Sequence, residues 1–266
     1  MLCDFHLHTE FSGDSETPVR DQTERAIALG MKEICITDHH DYDALEAGDT
    51  FLLDLDSYFP AIETIRQEYA GRIHVRTGIE LGLQLHIRDY LEQLAPSLPV
   101  DFIIGSNHYI QGKDPYYPSF YENCTEREAY THYFEVTLNR IRCLECYDVL
   151  GHLDYIVRYG PNKNRDYSYP AYQEYIDPIL KHLIDHGKGL ECNTGGFRAG
   201  LGHPHPMEDI LTRYRTLGGE ILTIGSDAHT PAYVGYEFSR LPDLLRQCGF
   251  RYYTVFHQRK PVFLPL

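Results

Sequence analysis

Seven short β-prone runs alternate with helix-forming stretches along this chain, and almost every run ends in a side chain that can bind a metal. The runs cover residues 2–6, 33–37, 73–78, 101–105, 148–150, 188–192 and 220–224. Strands that alternate with helices pair in parallel, each helix serving as a crossover. Seven or eight such units in one evenly composed chain point to a barrel rather than an open sheet. An eighth run, 252–256, is short and late. A length of 266 residues fits, since one α/β barrel uses about 250. No linker, repeat or low-complexity tract interrupts the chain, so residues 1–266 are expected to form a single domain.

Several helix ends are legible. Thr17-Pro18 offers a cap and a first-turn proline to a stretch that closes at Gly30. Thr125-Glu126-Arg127-Glu128 reads as a capping box. Further helices run from about Ser168 to Gly187 and from about Pro206 to Gly218. Segment 108–125 is rich in turn formers and tyrosines and reads as a long loop over a site.

The placement of histidine narrows the chemistry. His6 and His8 end the first run as H-x-H, and His39 and His40 end the second. Glu80 follows the third run, His108 the fourth and His152 the fifth. Asn193 and Arg198 follow the sixth, and Asp227 and His229 the seventh. In a parallel barrel every strand C-terminus opens on the same face, so these side chains converge on one mouth. Alternation sends both imidazoles of H-x-H to one side. Imidazole with carboxylate suits zinc, manganese or iron better than calcium. So many ligands exceed one ion, and two to three divalent ions are expected. His74, His86, His132, His182, His186 and His257 fall elsewhere and read as surface or satisfied core residues.

Charge restricts the partners. The formal net charge is −15, whereas a nucleic-acid binder needs a basic stripe. No run of 18 apolar residues exists, so no membrane span is expected. The first residues carry no basic segment followed by an apolar one, which predicts a cytoplasmic protein. Seven scattered cysteines do not form a disulfide framework. Cys143 and Cys146 lack a second C-x-x-C pair and read as ordinary half-buried thiols. In so acidic a chain an arginine at the mouth is informative. Arg158 and Arg198 both follow predicted strands, and guanidinium forks grip phosphate bidentately.

As a set, Asp4-Phe5-His6-Leu7-His8-Thr9, Ile36-Thr37-Asp38-His39, Gly78-Ile79-Glu80, Gly105-Ser106-Asn107-His108, Gly151-His152-Leu153-Asp154 and Gly225-Ser226-Asp227-Ala228-His229 resemble the PHP (polymerase and histidinol phosphatase) family. Length and motifs are most similar to its stand-alone histidinol-phosphate phosphatases. The resemblance implies a distorted (β/α)7 TIM-like barrel with a metal site at the C-terminal ends of its strands. It puts His6, His8, Glu80 and Asp227 on one ion, with Glu80 bridging to a second held by His108 and His152. Asp14, His39 and His229 would hold a third. Only one of His39 and His40 can point inward, and the Thr37-Asp38-His39 register favours His39.

The reaction so implied is hydrolysis of a small phosphomonoester, L-histidinol phosphate. Arg158 and Arg198 would clamp the phosphate, and His203 would contact it or protonate the leaving group, a role that His229 could also fill. Asp227 and His229 would act at the reacting centre, and Tyr117, with Tyr116 and Tyr121, would meet the imidazole. Other phosphate esters, small nucleotides among them, are the alternative substrates. An amidohydrolase-type barrel also begins with H-x-H, but it places a metal-bridging lysine on the fourth strand, where this chain has Gly105-Ser106-Asn107-His108. A metal-storage module would have no use for the two arginines.

Overall fold

Strands buried on both faces by crossover helices read as near-continuous apolar runs, and the seven runs fold accordingly. A computed structural model describes residues 3–44 and 50–266. Leu2, the first residue of the expected run 2–6, lies outside the described residues. The elements in chain order are β1 (Asp4–Leu7), α1 (Val19–Ala28), β2 (Glu33–Ile36), β3 (His39–His40), α2 (Leu55–Glu68), β4 (His74–Gly82), α3 (Arg88–Ser97), β5 (Phe102–Ser106) and α4 (Glu126–Cys143). They continue with β6 (Val149–Leu150), α5 (Tyr169–Asp185), β7 (Gly189–Asn193), α6 (Gly195–Arg198), α7 (Glu208–Thr216), β8 (Leu222–Gly225), α8 (Leu241–Gln247), β9 (Tyr252–His257) and β10 (Lys260–Pro265).

Strands β1, β2, β4, β5, β6, β7 and β8 lie side by side in that order, all parallel, and the two-residue β3 extends the pairing of β4. This is the expected distorted (β/α)7 barrel, nearly closed. At the seam β1 hydrogen-bonds to the segment after β8 rather than to β8 itself. Asp227 N–H donates to the His6 carbonyl at 2.9 Å and His8 N–H to the Ala228 carbonyl at 3.0 Å. Beneath the mouth Phe5, Ile34, Ile79, Phe102, Leu190 and Leu222 are buried. Among the described residues no helix is long and apolar enough to cross a membrane.

Local signals set several boundaries. The Thr125 hydroxyl accepts the Glu128 N–H while the Glu128 carboxylate accepts the Thr125 N–H, the reciprocal pair that opens α4. At α1 the expectation changes. Pro18 itself occupies the cap position, and the Thr17 hydroxyl donates instead to the His229 carbonyl at 2.8 Å. The third run extends to Gly82, because β3 and β5 both give it partners, so Glu80 lies within β4 rather than after it. Cys143 and Cys146 are unpaired, like all seven cysteines, and burial pushes the Cys146 thiol up to about 12.

The eighth run is not a barrel strand. It forms β9, whose only ladder partner among the described residues is the antiparallel β10. Gln258 and Arg259 turn the corner with φ of 51° and 64°, a two-residue turn that matches strand twist. The hairpin packs at the N-terminal ends of the barrel strands. Leu222 N–H donates to Thr254 Oγ1 at 3.2 Å, Gln258 N–H donates to Asp101 at 3.0 Å, and Phe256 stacks on Phe102 at 5.0 Å. One end of the barrel is therefore plugged and the other is left for the site.

Phe102 meets Phe5 edge-on at 5.7 Å as well as stacking on Phe256, so it joins barrel to plug. Phe102→Ala is expected to cost about 3–5 kcal/mol, read as a lower urea midpoint. Unfolding at the wild-type midpoint would contradict this packing account.

Candidate metal centre

Glu80 sits in the middle of the mouth with no exposed surface. Its Oε1 lies 2.8 Å from His152 Nε2 and 3.1 Å from His108 Nε2, and accepts the Ser106 hydroxyl at 2.6 Å. Its Oε2 lies 3.0 Å from His39 Nδ1, 3.2 Å from His6 Nε2 and 3.5 Å from His8 Nε2. Imidazoles supplied by β1, β3 and the ends of β5 and β6 thus share one carboxylate, one group to each oxygen. Alternation works as expected at His39-His40. His39 faces Glu80, while His40 turns away and its Nε2 meets the Tyr90 hydroxyl at 2.7 Å.

Two more carboxylates flank this centre. Asp227 Oδ1 lies 3.4 Å from His8 Nε2, 3.7 Å from His229 Nδ1 and 3.9 Å from His6 Nε2. Asp14 Oδ2 lies 3.0 Å from His229 Nε2, and its Oδ1 lies 3.8 Å from His39 Nε2. The nine residues expected to bind metal are therefore all brought together.

The donor set fits metal ions. Tetrahedral zinc ligands at 2.0–2.2 Å from the ion lie about 3.4 Å from one another, which is the spacing found here. Several of these atoms are buried with no hydrogen-bond partner: His6 Nε2, His8 Nε2, His39 Nδ1, Glu80 Oε2 and His229 Nε2. Orphaned polar atoms are costly unless something satisfies them. Compact ligand groups form from His6, His8 and Glu80, from Glu80, His108 and His152, and from His8, His39 and His229. A fourth group, His39, Asp41 and His108, adds a carboxylate that sequence reasoning missed. Its signal was available, since Asp41 stands two residues after His39 and so on the same side of an extended segment.

A layer of partners behind the ligands was also missed. His6 Nδ1 lies 2.6 Å from Glu191 Oε1, and His108 Nδ1 lies 3.1 Å from both Asp41 oxygens. His8 Nδ1 lies 2.9 Å from the Ser12 hydroxyl, which donates to Asp38 at 2.7 Å. Such partners leave the other ring nitrogen bare for a metal. The electrostatics follow the geometry. Burial alone would depress the His6 and His108 pKa values, yet Glu191 with Glu80, and Asp41 with Glu80, lift them well above the ordinary imidazole range. Burial opposes the His39 cation too, but Glu80 and Asp14 raise it to about 9. His8 is driven low by burial and by His229 and His39. Burial would raise Asp227, but His8, His6 and Arg158 hold it well below the carboxylate range.

A cavity of about 350 Å³ opens over these residues. Asp14, His39, His108, His152, Asp227 and His229 form its floor, and Phe51, Tyr109, Tyr116, Tyr117, Tyr155 and Tyr159 give it aromatic walls. Arg158 and Asp114 also line it. Arg158 packs over Tyr155 at 4.4 Å and Tyr159 at 5.0 Å, and donates to Asp227 Oδ2 at 3.1 Å. Arg198 stands behind the floor, donating to the Asp227 carbonyl at 2.9 Å. Tyr116 and Tyr117 sit on the lip, in the loop expected to cover a site. Tyr121 and His203 are not among the lining residues. The Tyr121 hydroxyl donates to the Ile156 carbonyl, and His203 is buried with Nδ1 2.7 Å from the Pro204 carbonyl and Nε2 unpartnered.

The other histidines stay outside. His86 pairs with Asp43, His257 with Glu33, and His182 stacks on His186.

Comparison with known proteins agrees with this geometry. The model of the PHP domain matches residues 4–195. A histidinol-phosphatase of Lactococcus lactis subsp. lactis is 32% identical, over 97% of this chain and 95% of that protein. A probable histidinol-phosphatase of Clostridium acetobutylicum is also 32% identical, over 98% of each chain. The crystal structure of the Lactococcus lactis histidinol phosphate phosphatase, complexed with zinc, L-histidinol and phosphate, superposes with a TM-score of 0.90 over 98% of both chains. By its motif order, its barrel and the family match over most of its length, this chain belongs to the PHP-domain family.

Proposed function

We propose that this chain is a metal-dependent phosphomonoesterase that hydrolyses L-histidinol phosphate to L-histidinol and phosphate. The observation that carries the reading is a buried imidazole–carboxylate cluster flooring a cavity that also presents Arg158, aromatic rings and the Asp114 carboxylate. The near full-length likeness to histidinol-phosphatases supports the choice of substrate. His6, His8, Glu80 and Asp227 would hold one ion, Glu80, His108 and His152 a second, and Asp14, His39 and His229 a third. Zinc, manganese and iron all suit these ligands. Bound divalent ions supply Lewis acidity, meaning a more acidic water and a neutralised phosphate charge.

The chain's own residues do the rest. Arg158, held between Tyr155 and Tyr159, aims its guanidinium at the cavity floor, where non-bridging phosphate oxygens would lie. Arg198 backs it by fixing the Asp227 backbone. Asp227 holds its position through Arg158 on one oxygen and faces His8 with the other. His229 lines the cavity with Asp14 on its Nε2; it would give a proton to the leaving alkoxide only with the third site unfilled, since a ligand nitrogen carries none. His203, the other donor expected from sequence, keeps an unpartnered Nε2 but lies outside the cavity wall. Histidinol phosphate carries an imidazole and an ammonium. Tyr117 with Tyr116 offers ring faces to the first, and Asp114 offers charge to the second.

Three outcomes test this reading. After chelation and restoration of zinc or manganese, phosphate release from histidinol phosphate should exceed that from unrelated monophosphates and from AMP. Equal rates would refute the substrate while leaving the metal centre standing. Arg158→Met should lower kcat/KM per bound metal by about 10²–10³ if it stabilises charge in the transition state. His6→Ala and Glu80→Ala should each lose bound metal by elemental analysis, and full retention in both would refute the ligand set.

Proton competition sets the pH dependence. His39 is a cation below about 9 in the metal-free protein, and a ligand nitrogen must be bare. Apparent metal affinity should therefore climb between pH 6.5 and 9 in chelator-buffered titrations. His8 is already neutral across that window. For the metal-free fold the sign reverses. The raised His39 pKa gives stability that is complete below about 6.5 and lost as pH rises through about 9. Melting of chelated protein should fall across the same window, and a flat profile would contradict the assignment.

A further inference from the structure

Glu191 is a carboxylate in the middle of a barrel strand, 1% exposed, and its contact with His6 accounts for only one of its two oxygens. Among the described residues its only ionic partner is His6, and no lysine or arginine approaches it. All its neighbours are donors. Oε1 lies 2.6 Å from His6 Nδ1. Oε2 accepts the His152 backbone N–H at 2.8 Å and the Asn193 side-chain amide at 3.2 Å. One side chain on β7 thus reaches β1 and the loop after β6 at once. The packing reserves room for it. A Cβ on Gly225 would fall 2.4 Å from Glu191 Oε1 and 2.4 Å from His6 Cβ, so the glycine of β8 leaves that contact open.

We propose that Glu191 is a positioning residue for the metal centre, holding His6 as the Nδ1–H tautomer with Nε2 bare toward Glu80 while tying down the backbone that carries His152. This rests on the metal-binding reading above. His6 and His152 face opposite oxygens of Glu80 and are assigned to different ions. Glu191 therefore sets the spacing of two sites together. Three donors need an acceptor at both oxygens, which only a carboxylate provides. A carboxamide of the same size offers one acceptor and one NH₂. If its oxygen serves His6, its NH₂ meets the donors of His152 and Asn193. If it turns over, the His6 tautomer is no longer held.

The test is Glu191→Gln beside wild type, titrated with zinc against a competing chelator. The expected result is zinc affinity weaker by about 10–100-fold, with the urea midpoint of the zinc-loaded protein falling further than that of the chelated protein. Wild-type affinity in the variant overturns the inference. So does an equal loss of stability in the chelated and zinc-loaded forms, since that marks a purely structural role. Imidazole ¹⁵N spectra of zinc-loaded wild type keep the question answerable if the variant does not fold. His6 protonated on Nδ1 supports the inference, and His6 protonated on Nε2 overturns it. A wild type that takes up no zinc overturns instead the metal reading beneath it.

Discussion

Burying the Glu80 carboxylate at the centre of a barrel is expensive unless opposite charge or hydrogen bonds surround it. The mouth is arranged around that cost. Five imidazoles and one hydroxyl approach its two oxygens, and their pull holds its pKa low in spite of burial. The imidazoles cannot all carry protons, because they would repel one another. Burial first, and then repulsion from His229 and His39, drives the His8 pKa down. Divalent ions would resolve the conflict, since they would deliver positive charge without placing a proton on each ring.

Closure of the barrel is tied to the same place. The buried Asp4 carboxylate accepts the Ser226 N–H and hydroxyl and the Gly235 N–H, at 2.9, 2.5 and 2.9 Å. This latch fixes the residue just before Asp227. Asp227 then takes a left-handed backbone, with φ of 56°, which aspartate tolerates better than most side chains. Its carboxylate is thereby directed between His8 and Arg158. A fold-level contact and a site-level orientation are made by adjacent residues.

The parts read from sequence are those with local causes. The Thr125 capping box, the alternation that turns His39 inward and the strand-end placement of His108 and His152 all depend on neighbours within a few residues. The parts that escaped depend on distant ones. Glu191 meets His6 across 185 positions, and nothing local announces the pair, although a glutamate inside an apolar central strand was itself a sign. The late run 252–256 has strand character, and only tertiary packing makes it a plug rather than a barrel strand. Thr17 looked like a helix cap, but the His229 carbonyl outcompeted the helix for its hydroxyl. His203 lies near the motifs in sequence, yet its ring is buried against Pro204 rather than in the cavity wall.

The seam between β1 and the segment after β8 carries a consequence of its own. Six strand junctions around the barrel are ladders, while among the described residues this one rests on one bridge at Leu7 and Ala228, the backbone bonds of Asp227 to His6 and His8 to Ala228, and the Asp4 latch to Ser226. His6 and His8 stand on one side of it, and Asp227 and His229 on the other. Ions shared between those pairs would rivet the two ends of the sheet together. The ring would then be completed by coordination as much as by peptide hydrogen bonding, and a loaded barrel would differ from an empty one in how firmly its first and last strands are joined.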